Sequence, residues 1–268
     1  MPALTLHDSR YGSEERSPAL DSCVVTESST ASSGTDEAST TERPAAVLWD
    51  MDGTLVDSEP YWQESQIQLV AEHGGSWSRA DGDSLIGSGL WHSARVLQEH
   101  GVALSEEAII DRMTDDVLVR VREHMPWRPG AKELLRSLRE DGVPTALVTM
   151  SIRRMADFIA QSIDFPAFDV VVAGDEVEHA KPHPEAYLRA AELLGVSITD
   201  CVAIEDSPTG IASALASGAT TIGVEHHAPL DDGPGFLRRE TLVGVTVVDL
   251  AQWHTTGRQL GSLPEGDS

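Results

Sequence analysis

The sequence predicts an α/β protein, a Rossmann-like parallel sheet with helices on both faces, carrying an inserted all-helical cap domain. Short apolar runs rich in β-branched residues alternate with helix-patterned stretches. One long interval between the first two runs holds helix patterns alone. That interval leaves and re-enters at the carboxyl end of the first strand, where open α/β sheets place their ligand sites.

Residues 1–44 are rich in Ser, Thr, Asp and Glu and lack apolar periodicity, so they read as a disordered acidic tail, with a phosphorylated regulatory segment as the alternative. AAVLWD (45–50) opens the sheet. Further strands are expected at PTALVTM (144–150), FDVVVAG (168–174), CVAIED (201–206), ATTIGV (219–224) and, more weakly patterned, VTVVDL (245–250). These runs are short and apolar, as strands buried on both faces should be.

Between the strands, AKELLRSLREDG places Leu134, Leu135 and Leu138 on one face before Gly142. PEAYLRAAELLG repeats the device, with Pro184 early and Gly195 at the end. From Tyr61 to Trp127 the patterns YWQESQIQLVAEHG, WHSARVLQEHG and SEEAIIDRMTDDVLVRVREHM read as helices of a small second domain, most economically a lid. The expected division is a core at 45–60 and 128–255, the helical cap at 61–127, and tails at 1–44 and 256–268.

The 268-residue chain has a formal net charge of −25, which repels nucleic acid backbones and anionic membranes. An anionic ligand must therefore be held by local features. The two cysteines, Cys23 and Cys201, lie far apart in unlike surroundings, so no disulfide and a reducing cytoplasm are expected. No apolar run is long enough for a membrane span, and the N-terminus has no secretory pattern. The oligomeric expectation is a monomer or weak dimer.

The first strand ends in Asp50-Met51-Asp52-Gly53-Thr54. Carboxylates spaced i, i+2 share a side of an extended chain, and such a pair can divide the roles of nucleophile or metal ligand and proton donor. The fourth strand brings Glu205 and Asp206 to the same edge, followed by Ser207, Pro208 and a helix start. Four carboxylates crowded there need a cation, most naturally Mg²⁺. Thr149 and Ser151, in LVTMS, offer hydroxyls and nearby amides, while Lys181, in HAKPHPEAY, offers a compact cation on a loop stiffened by prolines.

Taken together, Asp50-Met51-Asp52-Gly53-Thr54, Thr149, Lys181 and Glu205-Asp206 resemble the four motifs of the haloacid dehalogenase-like hydrolases, in order, over roughly residues 45–225. The wording WDMDGTLVDSEPYW, AKPHPEAY and IEDSPTG is similar to the branch of sugar phosphatases and phosphoglucomutase-like enzymes, whose helical cap lies between the first two motifs. The resemblance implies that Asp50 attacks phosphorus and becomes an aspartyl phosphate, and that Asp52 protonates the leaving oxygen and then activates water. It implies Mg²⁺ held by Asp50, the Asp52 carbonyl, Glu205 and Asp206, with Thr149 and Lys181 on the phosphoryl group; Ser151 is a further expected substrate-binding residue. The substrate expected is a small phosphorylated metabolite, first a sugar or polyol phosphate.

The resemblance also bears on rival readings. Dehalogenation requires neither Asp52 nor the metal carboxylates. A sugar phosphomutase shares the four motifs, but its members typically carry a histidine where this chain has Trp62 and a basic residue in the loop that here reads Gly87-Ser88-Gly89-Leu90-Trp91. A non-catalytic binding protein would show a damaged motif. Glu59, Trp62 and Trp91 are the expected substrate-binding residues of the cap, and Trp77 is expected in its core. His179, His183, His226 and His227 stand near the motifs but show no zinc-like spacing with cysteine, so they read as surface residues.

Overall fold

The computed structural model describes residues 43–227, 230 and 235–261; most of the expected N-terminal tail lies outside the described residues. Five of the apolar runs form strands, β1 (Ala46–Trp49), β2 (Thr145–Val148), β3 (Val170–Val172), β4 (Cys201–Glu205) and β5 (Thr220–Val224), followed by β6 (Phe236–Arg239). The described helices are α1 (Glu59–Glu72), α2 (Arg79–Asp83), α3 (Leu90–Glu99), α4 (Glu106–Glu123), α5 (Ala131–Glu140), α6 (Arg153–Gln161), α7 (Glu185–Leu194), α8 (Pro208–Ser217) and α9 (Val247–Gly261).

The strands pair in parallel in the order β3-β2-β1-β4-β5-β6. Val47 of β1 lies opposite both Thr145 of β2 and Val202 of β4, so the strand order reverses beside β1. A crevice opens at such a reversal, outside the carboxyl ends of the strands. All of β1, β2 and β4 is buried, which is why those runs are apolar throughout. Alternate residues serve opposite faces. Val47 and Trp49 pack with Leu134, Leu135 and Leu138 of α5, whereas Ala46 and Leu48 pack with Ala186, Tyr187 and Ala190 of α7.

Helices α1 to α4 follow β1 before the chain returns to β2. Leu69, Leu97, Ile109, Met113 and Val117 fill their shared interior, and Trp77 is buried there, donating to Gln66 Oε1 at 3.2 Å. The connecting segments are paired with each other: the Asp57 amide donates to Pro126 O at 2.8 Å and the Arg128 amide to Leu55 O at 2.9 Å. The helical insertion begins at Glu59, two residues before the expected 61.

The C-terminal reading needs two corrections. VTVVDL is not a strand; Val247–Leu250 opens α9, and the sixth strand is Phe236–Arg239. Thr246 and Asp249 cap each other reciprocally, with the Thr246 hydroxyl and amide donating to Asp249 Oδ2 and the Asp249 amide to Thr246 Oγ1. Val247, Leu250, Ala251 and His254 are buried at helical spacing while Val248 is exposed, so period 3.6 prevails over β-propensity. The expected tail 256–268 likewise starts inside α9, which continues to Gly261. Among the described residues no helix is long and apolar enough to cross a membrane.

Candidate active site

Three strand ends and one loop meet here, the strand ends being those of β1 and its two neighbours. Asp50 follows β1, Thr149 and Ser151 follow β2, Glu205 ends β4 with Asp206 just beyond, and Lys181 lies on the loop before α7. Gly53 turns the chain away with φ 95°, and a side chain there would collide with the Asp206 carboxylate. Gly210, in the first turn of α8, stands equally close to the Glu205 carboxylate.

Lys181 is buried and its Nζ donates to Asp50 Oδ1 at 2.7 Å, Glu205 Oε1 at 2.6 Å and Val148 O at 3.0 Å. Burial works against the ammonium charge, but the Asp50 and Glu205 carboxylates outweigh it and hold the lysine above its ordinary pKa. Both Glu205 oxygens are engaged: Oε1 also accepts from the Tyr187 hydroxyl at 2.7 Å, and Oε2 from the Asp206 and Ser207 amides. Asp206 accepts the Thr54 hydroxyl at 3.1 Å.

One lysine faces three buried acids. Burial first, and then the Glu205 charge, push Asp50 up to about 7 despite Lys181. Asp206 is raised well above the carboxylate range by burial and by the charges of Asp50 and Glu205. Asp50 Oδ2 is buried with no hydrogen-bond partner. Oxygens of Asp50, Glu205 and Asp206 lie within 4.8 Å of one another. An unpartnered carboxylate oxygen in an over-acidic, oxygen-only pocket fits a hard divalent cation.

The Asp52 carboxylate lies outside that cluster. Its Oδ1 accepts from the Ser58 hydroxyl and from Trp62 Nε1 at 3.1 Å; its Oδ2 accepts from Thr149 Oγ1 at 3.2 Å and Ser151 Oγ at 2.8 Å. Four donors fix its orientation. Asp50 and Asp52 share one cavity of about 60 Å³ with Thr149, Ser151 and Lys181 as its floor.

The helical insertion roofs this cavity with Glu59, Trp62, Gln66, Leu85, Ser88 and Ser93. Glu59 is half-buried and pushed up to about 8 by burial and then by the charges of Asp52, Asp83 and Asp57. Trp91 is not brought there: it lines a neighbouring groove with His92, Arg95 and Glu178. Leu90 and Ser93, three apart on α3, face the cavity, and the next position after Leu90 is turned about 100° away. Ser58, Gln66 and Tyr187 escaped the sequence reading. Glu59, Trp62 and Gln66 follow a 3-4 spacing, the stripe of one helix face, and that pattern could have named Gln66.

Fold and site together define a hydrolase whose chemistry rests on carboxylates at the carboxyl edge of a parallel sheet. The chain belongs to the haloacid dehalogenase-like hydrolases, whose family model matches residues 44–218, and it is a phosphoric monoester hydrolase. It is 29% identical over 224 residues to hexitol phosphatase B of Escherichia coli (strain K12), covering 79% of this chain and 99% of that protein. It is 33% identical over 186 residues to hexitol phosphatase A of the same organism, covering 69% and 83%. Among solved structures, CbbY from Rhodobacter sphaeroides in complex with xylulose-1,5-bisphosphate has the same fold, with TM-score 0.72 and 23% identity, covering 77% of this chain and 99% of that one.

Proposed function

We propose that this protein is a Mg²⁺-dependent phosphatase of sugar or polyol monophosphates that works in the cytoplasm through an aspartyl-phosphate intermediate on Asp50. The observation that carries the reading is the division of the cavity: its floor holds a carboxylate with a free oxygen, and among the described residues its roof lines it with no Lys, Arg or His. The body of the substrate therefore meets hydroxyl, amide and carboxyl groups and the indole of Trp62, a set suited to uncharged hydroxyls. A second phosphate would find no counter-charge, which disfavours a mutase working through a bisphosphate.

The Asp50 carboxylate attacks phosphorus in line, forming the acyl phosphate as the bond to the ester oxygen breaks. Asp52 delivers a proton to that leaving oxygen and then takes one from the water that hydrolyses the intermediate. The Thr149 and Ser151 hydroxyls, which here donate to Asp52, are placed to turn to the phosphoryl oxygens. Lys181 keeps Asp50 aimed and offsets charge on the transferring group. Asp50, Asp206, the Asp52 carbonyl and Glu205 would hold Mg²⁺, with Glu205, whose oxygens are already engaged, contributing chiefly charge. When bound, Mg²⁺ supplies charge neutralisation among the acids and the phosphoryl oxygens.

The helical insertion acts as a cap. About 60 Å³ holds a few waters but not a sugar phosphate, so the cap opens to admit substrate. The test is phosphate release from sugar, polyol, nucleotide and glycolate phosphates with and without Mg²⁺, beside Asp50→Asn and a coupled mutase assay. Release that needs both Mg²⁺ and Asp50, fastest on uncharged polyol bodies, is expected. Isomerised sugar phosphate without net release would overturn the reading.

A further inference from the structure

Besides the acids of the active site, two groups of metal-capable side chains converge among the described residues: Asp57 with His226 and His227, and His179 with His183 and Glu185. They are not equivalent. Arg128 Nη1 lies 2.7 Å from His226 Nδ1. A guanidinium can only donate, so Nδ1 is the acceptor and the ring proton sits on Nε2, the nitrogen 2.9 Å from Asp57 Oδ1. That nitrogen cannot ligate while Arg128 stays, and a cation is already in place.

The second group has no arginine or lysine bonded to it among the described residues. Glu185 Oε1 accepts the Glu178 amide at 2.7 Å and Oε2 the His179 amide at 2.9 Å, so the loop backbone fixes the carboxylate. His179 Nδ1 is 2.9 Å from the same Oε2, and His183 Nδ1 is 4.0 Å from it. The Glu185 amide donates to His183 Nδ1 at 3.3 Å, so this nitrogen carries no proton and would exchange that long bond for an ion. The two rings lie side by side, centroids 4.5 Å apart and planes tilted by 32°. Ligand atoms around a tetrahedral zinc stand about 3.3 Å apart, given bonds of about 2.0–2.1 Å. The observed 2.9 and 4.0 Å bracket that spacing.

We propose that His179, His183 and Glu185 form a second, surface metal site, separate from the acidic pocket, selective for a divalent transition ion of zinc's class and completed by water. Nitrogen donors exclude Mg²⁺ as its preferred ion and favour Zn²⁺, Ni²⁺ or Cu²⁺. Both imidazoles are about half exposed, which leaves the ion an entry path. When an ion binds Nδ1 of a neutral His179, the ring proton moves to Nε2, and because protons compete with the ion for both imidazoles the site weakens as the medium is acidified. The site brackets Lys181, and the His183 carbonyl is tied to α8 by the Ser213 hydroxyl at 2.7 Å. An ion there clasps the loop that carries the lysine.

The test is calorimetric titration of the full chain with ZnCl₂ in excess Mg²⁺ at pH 7.5 and again at pH 5.5, with Co²⁺ absorption as a second readout. One site is expected, weaker at pH 5.5 than at pH 7.5, with a tetrahedral Co²⁺ band. His179→Ala and His183→Ala should each weaken it at least tenfold, by comparison with the loss expected even from outer-shell changes, while His226→Ala leaves it unchanged. Both histidines are exposed, so these variants keep the fold. Absence of Zn²⁺ binding, or binding untouched by either substitution, would overturn the site.

Discussion

The floor and the roof of the cavity are built on opposite terms. The floor stands on strand ends whose backbone is fixed by the sheet on both sides, and it gathers Asp50, Glu205 and Asp206 around one lysine. The roof stands on helices that reach the core through two short segments, and its lining residues offer amide, hydroxyl, indole and carboxyl groups without a cation. Charge concentrated on the rigid part suits the step common to every phosphate ester. Weakly polar groups on the inserted helices suit the step that differs between esters, recognition of the alcohol. The contrast assigns chemistry to the core and choice to the insertion.

The contrast breaks first at Asp50. Asp50→Asn should lower kcat on the order of 10⁴-fold or more, with thermal midpoint and substrate affinity nearly kept, because the nucleophile is lost but the roof is untouched. Single-turnover phosphate release with a binding measurement checks both halves. Lys181→Met comes next and strikes stability as well. Removing the one cation from a buried acidic cluster should cost about 3–5 kcal/mol in metal-free protein. Added Mg²⁺ should restore part of it, since an ion that binds only the folded state stabilises it. Chemical denaturation with and without Mg²⁺ reads this; an unchanged metal-free midpoint would mean that the acids are held neutral.

How much of this could be read from the sequence follows the same division. That Asp50, Asp52, Thr149, Lys181, Glu205 and Asp206 come together was legible because the apolar runs say which residues leave the sheet at its carboxyl edge. Tyr187 was not: its hydroxyl matters only because the loop after Lys181 brings α7 under Glu205. Ser58 was hidden for a similar reason, since its contact with Asp52 arises from a turn. The sheet was legible up to β5 through its apolar runs, but β6 reads FLRR, with two arginines at an edge, and carries no such signal. Trp91 failed because a tryptophan's chemistry was weighed without its place on the α3 face.

On the roof, Glu59→Gln separates choice from chemistry. It should raise KM for polyol phosphates about tenfold while turnover of a small aryl phosphate changes little, as expected for a group that touches only the alcohol. It also has a pH signature. Glu59 has a folded-state pKa of about 8 against an ordinary 4.5, so the folded protein holds a proton that the unfolded chain has lost between those values. Its stabilising contribution is complete below about pH 4.5 and is lost as pH rises through 8. Glu59→Gln should therefore gain in melting temperature relative to the native chain as pH rises from 5 to 8, and a pH-independent difference would place the carboxyl in solvent.

Trp62→Phe should cost less, roughly fivefold in kcat, because it removes one of the four donors that hold Asp52 and keeps the ring that walls the cavity. The smallest effect belongs to Trp91. It packs against the core cluster yet lines the outer groove, so Trp91→Ala should lower stability by roughly 1 kcal/mol and change kcat/KM less than about twofold on any polyol phosphate. Sequence reasoning makes the opposite forecast, because it placed this indole against the substrate. Kinetics over a series of alcohol lengths decides between them. A loss growing with the length of the alcohol would mean that cap opening carries α3 round until Trp91 meets the substrate.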